Sequence, residues 1–322
     1  TSPSVGDSLK AAVLIDEAVE ELSSQIDGAA IIACSGGIDS TVAAVLAHRA
    51  VGSLLHCVYV DTGLMRKGET DEVSSMFSDL GIKLKVLDEA ERFFKHLSGV
   101  TDPERKRKVI GEQFIRVFEE EKDTCDAEFL VQGTIAPDWI ESGGGERDVI
   151  KSHHNVGGLP EEMELQIVEP LREFYKDEVR MIARELGIES SERQPFPGPG
   201  LAVRVLGEVT PARADSCREA CHIVETHIQK AAEDGLCDLP WQYFAALLPV
   251  RSVGVHGDVR VHGETIVVRA ATSIDGMSAR YSPIPHEVLG SISTEITNSL
   301  KGQINRVVFD ITNKPPGTIE WE

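Results

Sequence analysis

The residues Ser35-Gly36-Gly37-Ile38-Asp39-Ser40-Thr41 combine paired glycines, hydroxyls and one carboxylate in a single short stretch. Glycines let a backbone turn tightly and expose consecutive N–H groups, to which the hydroxyls of Ser35, Ser40 and Thr41 can add. If a helix begins there, its positive end completes a grip that fits a pyrophosphate. Asp39 would be repelled by such a ligand unless a divalent cation bridged them. That arrangement suits Mg2+, a hard ion that takes phosphate oxygens and one or two carboxylates. The other reading of Asp39 is a carboxylate stabilised by the helix dipole. The Gly-Lys-Ser/Thr of γ-phosphate-transferring loops is absent, and so is the three-glycine dinucleotide spacing.

The flanks of this stretch predict the elements that position it. The apolar run from Ala29 to Ala33 reads as a strand, and the alanine-rich run from Ile38 to Gly52 as a helix. Alternation continues with a strand from Leu54 to Val60, a helix from Gly68 to Leu80, a strand from Ile82 to Leu87 and a later strand from Phe129 to Gln132. Apolar strands alternating with helices predict an α/β fold with a doubly wound parallel sheet, which places ligands at the carboxyl ends of its strands. Val60-Asp61-Thr62-Gly63-Leu64 then lies beside the first loop if the two strands are neighbours, where Asp61 and its backbone would flank an adenine or ribose; an ordinary turn is the alternative.

Pro195-Phe196-Pro197-Gly198-Pro199-Gly200 cannot continue a helix and marks a junction, with domains expected at 1–198 and 199–322. Beyond it, a helix from Pro211 to Ala232, strands at Phe244 to Val250, Thr265 to Ala270 and Arg306 to Thr312, and a helix from Pro285 to Leu300 predict a smaller α+β domain.

The chain carries 53 acidic against 32 basic side chains, a net charge of −21 that repels nucleic acid. The same excess suits a salt-rich cytoplasm, where self-repulsion is screened. No apolar run is long enough to span a membrane, and the amphipathic segment from Leu9 to Leu22 is no signal peptide, so a soluble cytoplasmic protein is expected. The six cysteines include no CxxC pair and read as reduced packing thiols.

The stretch from Ser35 to Ser40 is similar to the PP-loop of enzymes that split ATP between its α and β phosphates and attach AMP to a substrate oxygen. By itself that loop leaves NAD synthetase, argininosuccinate synthetase, asparagine synthetase and tRNA-modifying enzymes open. Further segments narrow the choice: Lys106-Arg107-Lys108-Val109-Ile110-Gly111, Gln132-Gly133-Thr134-Ile135-Ala136-Pro137-Asp138 with Glu141, the run from Ile150 to Pro160, the run from Pro195 to Val209, Leu247 to Val255, and Lys314-Pro315-Pro316-Gly317-Thr318-Ile319-Glu320-Trp321-Glu322. With these, which span nearly the whole chain, the sequence resembles the ATP-pyrophosphatase part of the GMP synthetase family.

The resemblance implies an adenine nucleotide alpha hydrolase-like sheet followed by a dimerisation domain. It also implies an activity: ATP adenylates xanthosine 5′-monophosphate (XMP) at O2, pyrophosphate leaves, and ammonia then yields GMP and AMP. ATP would be held by Ser35, Gly36, Gly37, Ile38, Asp39, Ser40, Thr41 and Asp61, and Mg2+ by Asp39 with Asp138 as a second ligand. Asp138 and Glu141 would lie near the transferred phosphate, as metal ligand or substrate-orienting carboxylate. Lys151, His153 and His154 follow the pliant Ser142-Gly143-Gly144-Gly145, a segment suited to close over ATP and bring Lys151 to the α-phosphate. Arg107 would take the 5′-phosphate of XMP, with Pro199, Gly200, Gln242, Arg306, Lys314, Ile319 and Glu320 around the rest of it.

Members complete in one chain carry a glutaminase domain ahead of the loop, whereas only 34 residues precede Ser35. A separate glutamine amidotransferase subunit is therefore expected to supply ammonia, and a homodimer is expected through the second domain. The nearest alternatives are a carboxylate-activating NAD synthetase, against which the segment from Lys314 to Glu322 speaks, and a non-catalytic nucleotide sensor, against which Asp39 and the acidic pair speak.

Overall fold

The computed structural model describes residues 5–135, 165–188, 194–273 and 276–322. The chain divides into two units, each with its own sheet. The first comprises Thr1–Asp61, Gly68–Glu89 and Gly111–Arg193, and the second Thr62–Lys67, Ala90–Ile110 and Gln194–Glu322.

In the first unit the order along the chain is α1 (Val5–Gln25), β1 (Ala30–Ala33), α2 (Ile38–Val51), β2 (Leu55–Asp61), α3 (Glu69–Asp79) and β3 (Leu84–Asp88). Then come β4 (Phe129–Val131), β5 (Gln166–Val168) and α6 (Lys176–Glu185), after two helices described below. The sheet runs β3-β2-β1-β4-β5 with every pairing parallel, starting from Ala30 opposite both Leu55 and Phe129. The parallel α/β architecture expected from the alternation is present. The chain leaves β1 toward β2 and β3, then returns to its other side for β4 and β5. The strand order therefore reverses at β1, which is where such sheets open a ligand crevice.

Strand β1 is apolar throughout because both its faces are covered. Helix α2 packs on β1, β2 and β4, and its buried residues run from Thr41 through Ala47 without a polar stripe. Helices α1 and α6 in turn pack on α2 and on each other. Burying one aliphatic side chain such as Ile31 or Leu46 is worth about 1.5–3 kcal/mol, so a polar residue at either would weaken the floor under the loop.

The second unit contains α4 (Ala90–Leu97), the first turns of α5 (Pro103–Cys125), α7 (Pro211–Glu233), β6 (Gln242–His256), β7 (Val259–Thr272), β8 (Arg280–Tyr281), α8 (His286–Ser299) and β9 (Ile304–Asp310). β6 and β8 pair antiparallel with β7, and β9 pairs parallel with it. Helix α7 packs on β6, and α8 on α7 and β9. Helix α7 starts where the sequence says it should: the Thr210 side chain accepts from the Arg213 amide and Pro211 opens the first turn. The strand from Phe244 to Val250 is longer than expected because it continues past a register irregularity at Leu248/Ser252 into a two-stranded ribbon with β7. Helices α4, α5 and α6 and the short strands β5 and β8 go beyond the elements read from the sequence; the short strands are too brief for a periodic pattern to register.

Candidate functional site

The strand-to-helix turn after β1 is built by its own side chains. The Cys34 amide still donates to Val58 at 2.8 Å, so Ser35 is the first residue to leave the sheet. The Ser35 and Ser40 hydroxyls lie 3.0 Å apart, and the Gly37 amide donates to Ser35 Oγ at 3.3 Å. The Gly37 carbonyl accepts from the Thr41 amide at 3.0 Å and from the Thr41 hydroxyl at 2.8 Å. That first intrahelical bond leaves the Ile38 and Ser40 amides ahead of it without an intrahelical acceptor, pointing out of the helix end as an anion site requires. Gly36 has a φ of +77°, and a Cβ there would stand 2.5 Å from Val73 Cγ2 on α3, so the turn admits no side chain.

Two further strand ends complete this region of the first unit. After β4, Gly133 lies against the first turn of α2, where a Cβ would meet the Asp39 carbonyl and the Ser40 amide at 3.1 Å. At the end of β2, Asp61 accepts from Thr70 Oγ1 at 2.6 Å, and its carbonyl accepts from the Glu89 amide at 2.9 Å. The loop from Ser35 to Thr41, Asp61 and Gly133 thus sit at the carboxyl ends of adjacent strands β1, β2 and β4. Asp138, Glu141, Lys151 and His153 lie outside the described residues.

In the second unit the last residues of the sequence are held by buried cations. Glu320 accepts from Arg204 through Nη2 to Oε1 at 2.7 Å and Nε to Oε2 at 3.1 Å, and from Gln242 Nε2 at 3.0 Å. The Arg204 guanidinium sits 4.1 Å from the Phe244 ring centre and 5.1 Å from that of Phe196. Burial by itself would lower its pKa, but the Glu320 carboxylate, with Cys221 and Cys217 nearby, holds it above the ordinary arginine value. Lys106 spreads its ammonium hydrogens over Val205 O at 2.8 Å, Ala202 O at 3.3 Å and the Glu322 carboxylate. Arg269 donates to Thr312 O at 2.6 Å and Thr318 O at 3.0 Å.

The remaining substrate candidates fall in two groups. Ile319 is buried beside Glu320, Lys314 donates to Gly276 O at 2.7 Å, and Arg107 donates to the Glu322 carbonyl at 2.7 Å. Gly200, with Pro199 before it, begins a short turn (Gly200–Val203). Its φ is +63° and a Cβ would lie 2.4 Å from Leu64 O, so only glycine fits. Arg306 stands apart: it is exposed on β9, opposite Thr265, and reaches Ser252 Oγ at 3.3 Å. Gln242 pairs with Ala271, and at ~3.3 Å per residue the two positions on β7 are about 20 Å apart.

The motif segments contain both Lys106, in a basic cluster suited to a nucleotide phosphate, and Arg204, but the motifs predict neither to be buried against a carboxylate. A signal for each exists in the sequence. Arg204 interrupts the otherwise apolar Leu201-Ala202-Val203-Arg204-Val205-Leu206, and Lys106 lies one helical turn before Ile110 on the face that continues to Gln113 and Val117.

Comparison with known proteins places the chain. The family described as GMP synthase C terminal domain matches residues 229–321. A GMP synthase (glutamine-hydrolyzing) subunit of Thermoplasma acidophilum is 54% identical over 308 residues, covering 96% of this chain and 98% of that one. The corresponding subunits of Thermococcus kodakarensis and Methanopyrus kandleri are each 57% identical over 312 residues, with the same coverage. Among solved structures, an NH3-dependent NAD synthetase from Campylobacter jejuni subsp. jejuni aligns with a TM-score of 0.43 and 14% identity, over 56% of this chain and 74% of that one. On the identity and coverage of the three archaeal proteins, the chain belongs to the family of these GMP synthase (glutamine-hydrolyzing) subunits.

Proposed function

We propose that the chain uses ATP to adenylate XMP at O2 and that ammonia, delivered by a separate glutamine amidotransferase subunit, converts the adenylate to GMP. The observation that carries this reading is the loop from Ser35 to Thr41 at the reversal point of the sheet, in a chain of this family. In the first step the O2–Pα bond forms as the bond from Pα to the departing pyrophosphate oxygen breaks. In the second, the ammonia nitrogen attacks C2, the C2–O bond breaks, AMP leaves, and a proton is lost from the nitrogen.

The chain's own residues act by positioning and charge. The outward amides of α2 and the hydroxyls of Ser35 and Ser40 hold the β and γ phosphates, fixing Pα for in-line attack and stabilising the charge on pyrophosphate. Glu320 accepts from purine N–H groups, and Lys314 and Arg107 take negative charge on XMP. Asp39 would hold Mg2+ together with oxygens of the bound phosphates, and the ion would supply charge neutralisation there. Asp61 flanks the nucleoside end of ATP. Asp138, Glu141, Lys151 and His153 belong to the same proposal through their motifs.

A homodimer forms through the second unit. What supports this is the end of the β6–β7 ribbon, where Val255 and Val259 are 68% and 66% exposed and Val250 and Val253 stand out as well. Arg306 contacts Ser252 on the same ribbon, remote along β7 from Gln242, and would serve the XMP of a second copy. The net charge argues against nucleic acid, no helix among the described residues is long and apolar enough to cross a membrane, and the enzyme works in the cytoplasm.

The test is product analysis with ammonium as nitrogen source. AMP and pyrophosphate should form from ATP only when XMP is present, and Asp39→Asn should slow turnover about 100-fold. Formation of ADP, or an unaffected Asp39→Asn enzyme, would overturn the reading.

A further inference from the structure

Three cations in the second unit, Lys106, Arg204 and Arg269, are fully buried, and all three bind the stretch from Thr312 to Glu322. They do so differently. Arg269 holds main-chain carbonyls, and Lys106 divides its hydrogens between the Glu322 carboxylate and two carbonyls. Arg204 alone spends its paired donors on the side chain assigned to the substrate's base, Glu320.

The geometry at Glu320 leaves one direction open. Oε1 accepts from both Arg204 Nη2 and Gln242 Nε2, while Oε2 accepts from Arg204 Nε. Each carboxylate oxygen has two lone pairs, so Oε2 keeps acceptor capacity, and the side chain retains 20% of its surface exposed. The fork is itself fixed. Its rings are Phe244 and Phe196, and its Nη1 has no hydrogen-bond partner among the described residues, so the aromatic faces are what compensate that edge. A lysine in its place would keep the charge and lose the paired geometry.

We infer that Arg204 is a positioning residue for the nucleotide substrate: it fixes the Glu320 carboxylate in the orientation that accepts from the purine base, and so sets affinity for XMP without touching the reacting atoms. The inference rests on the function proposed above. Losing the orientation of one charge-assisted hydrogen bond should weaken XMP binding about 10- to 100-fold.

Steady-state kinetics on the full chain, with ammonium and saturating ATP, test it using Arg204→Met, Arg204→Lys, Glu320→Gln and the double variant Arg204→Met/Glu320→Gln. KM for XMP should rise by that factor in Arg204→Met and by less in Arg204→Lys, with KM for ATP unchanged and kcat at saturating XMP within about threefold. The double variant should be no worse than Glu320→Gln, since both act through one carboxylate. If Arg204→Met does not fold, Arg204→Lys carries the test, because it retains the buried charge. A fall in kcat with KM for XMP unchanged, a wild-type KM in Arg204→Lys, or effects of Arg204→Met and Glu320→Gln that multiply would each overturn the inference and leave the proposed function standing. A wild-type chain that makes no GMP from XMP would overturn both.

Discussion

Gly133 and Asp39 are far apart in sequence and in van der Waals contact in the fold: a Cβ on Gly133 would stand 3.1 Å from the Asp39 carbonyl. The loop after β4 is thereby seated directly on the helix start that carries the phosphate loop. Gly133→Ala must push that first turn aside by a few tenths of an ångström. A misplacement of about 1 Å can cost about 100-fold in rate, so this smaller shift is expected to lower kcat/KM for ATP by roughly 3- to 10-fold while the melting temperature changes little. Ammonium-supported AMP release checks it; an alanine enzyme with native kcat/KM would show that this contact does not position the loop.

Lys106 and Glu322 form a buried ion pair, and Lys106→Met leaves the carboxylate without its ammonium. Breaking such a pair costs about 3–5 kcal/mol, which urea unfolding should register. Burial lowers the Lys106 pKa and the Glu322 carboxylate opposes that shift. Because the folded value lies below the unfolded one, the unfolded chain binds more protons between the two. The site's contribution is therefore complete above the unfolded value, about 10.4, and is lost as pH falls through the folded value. The stability gap between the native sequence and Lys106→Met should widen as pH rises through that window, and a gap that narrowed would contradict the assignment.

The β6–β7 ribbon ends in exposed valines that a lone copy would leave in water. The proposed homodimer should sediment as a dimer in the native sequence and as a monomer in Val255→Asp with Val259→Asp, since carboxylates at an apolar contact are desolvated without partners. Because those side chains are exposed within one copy, the melting temperature of the monomer's fold should hold. A dimer that survives both changes would place the contact elsewhere.

Surface charge sets a further expectation. At a net charge of −21 the folded state repels itself, and the Debye length shortens from about 10 Å at 0.1 M to about 3 Å at 1 M salt. Melting temperature should rise from low to molar potassium chloride. A flat or falling profile would remove the idea of adaptation to a salt-rich cytoplasm.

Much of the first unit was legible because its signals are local. The Ser35 to Thr41 stretch is contiguous, its strand and helix flanks are apolar runs, and α2 and α3 begin and end within a residue of where their patterns predicted. The second unit's helices were legible for the same reason, Pro211 and Thr210 marking the start of α7. The long ribbon was not, since its outer valines pair across strands without facing a core. Glycine at position 200 could be read as a turn, but the need for it comes from Leu64, whose carbonyl fills the space a side chain would take.

By itself the sequence determined that a phosphate-gripping turn follows a buried strand, because that turn uses neighbouring residues and backbone geometry alone. It also determined family membership, through motifs spread along its length. Only the tertiary structure decided that β1 lies between β2 and β4, so that the loop opens at the reversal of strand order, since parallel pairing joins segments distant in the chain. It likewise decided that Arg204 and Lys106 face inward. An apolar setting in the sequence hints at each cation's burial but does not name its partner; Glu320 and Glu322, more than a hundred residues away, supply the carboxylates that make burying those charges tolerable.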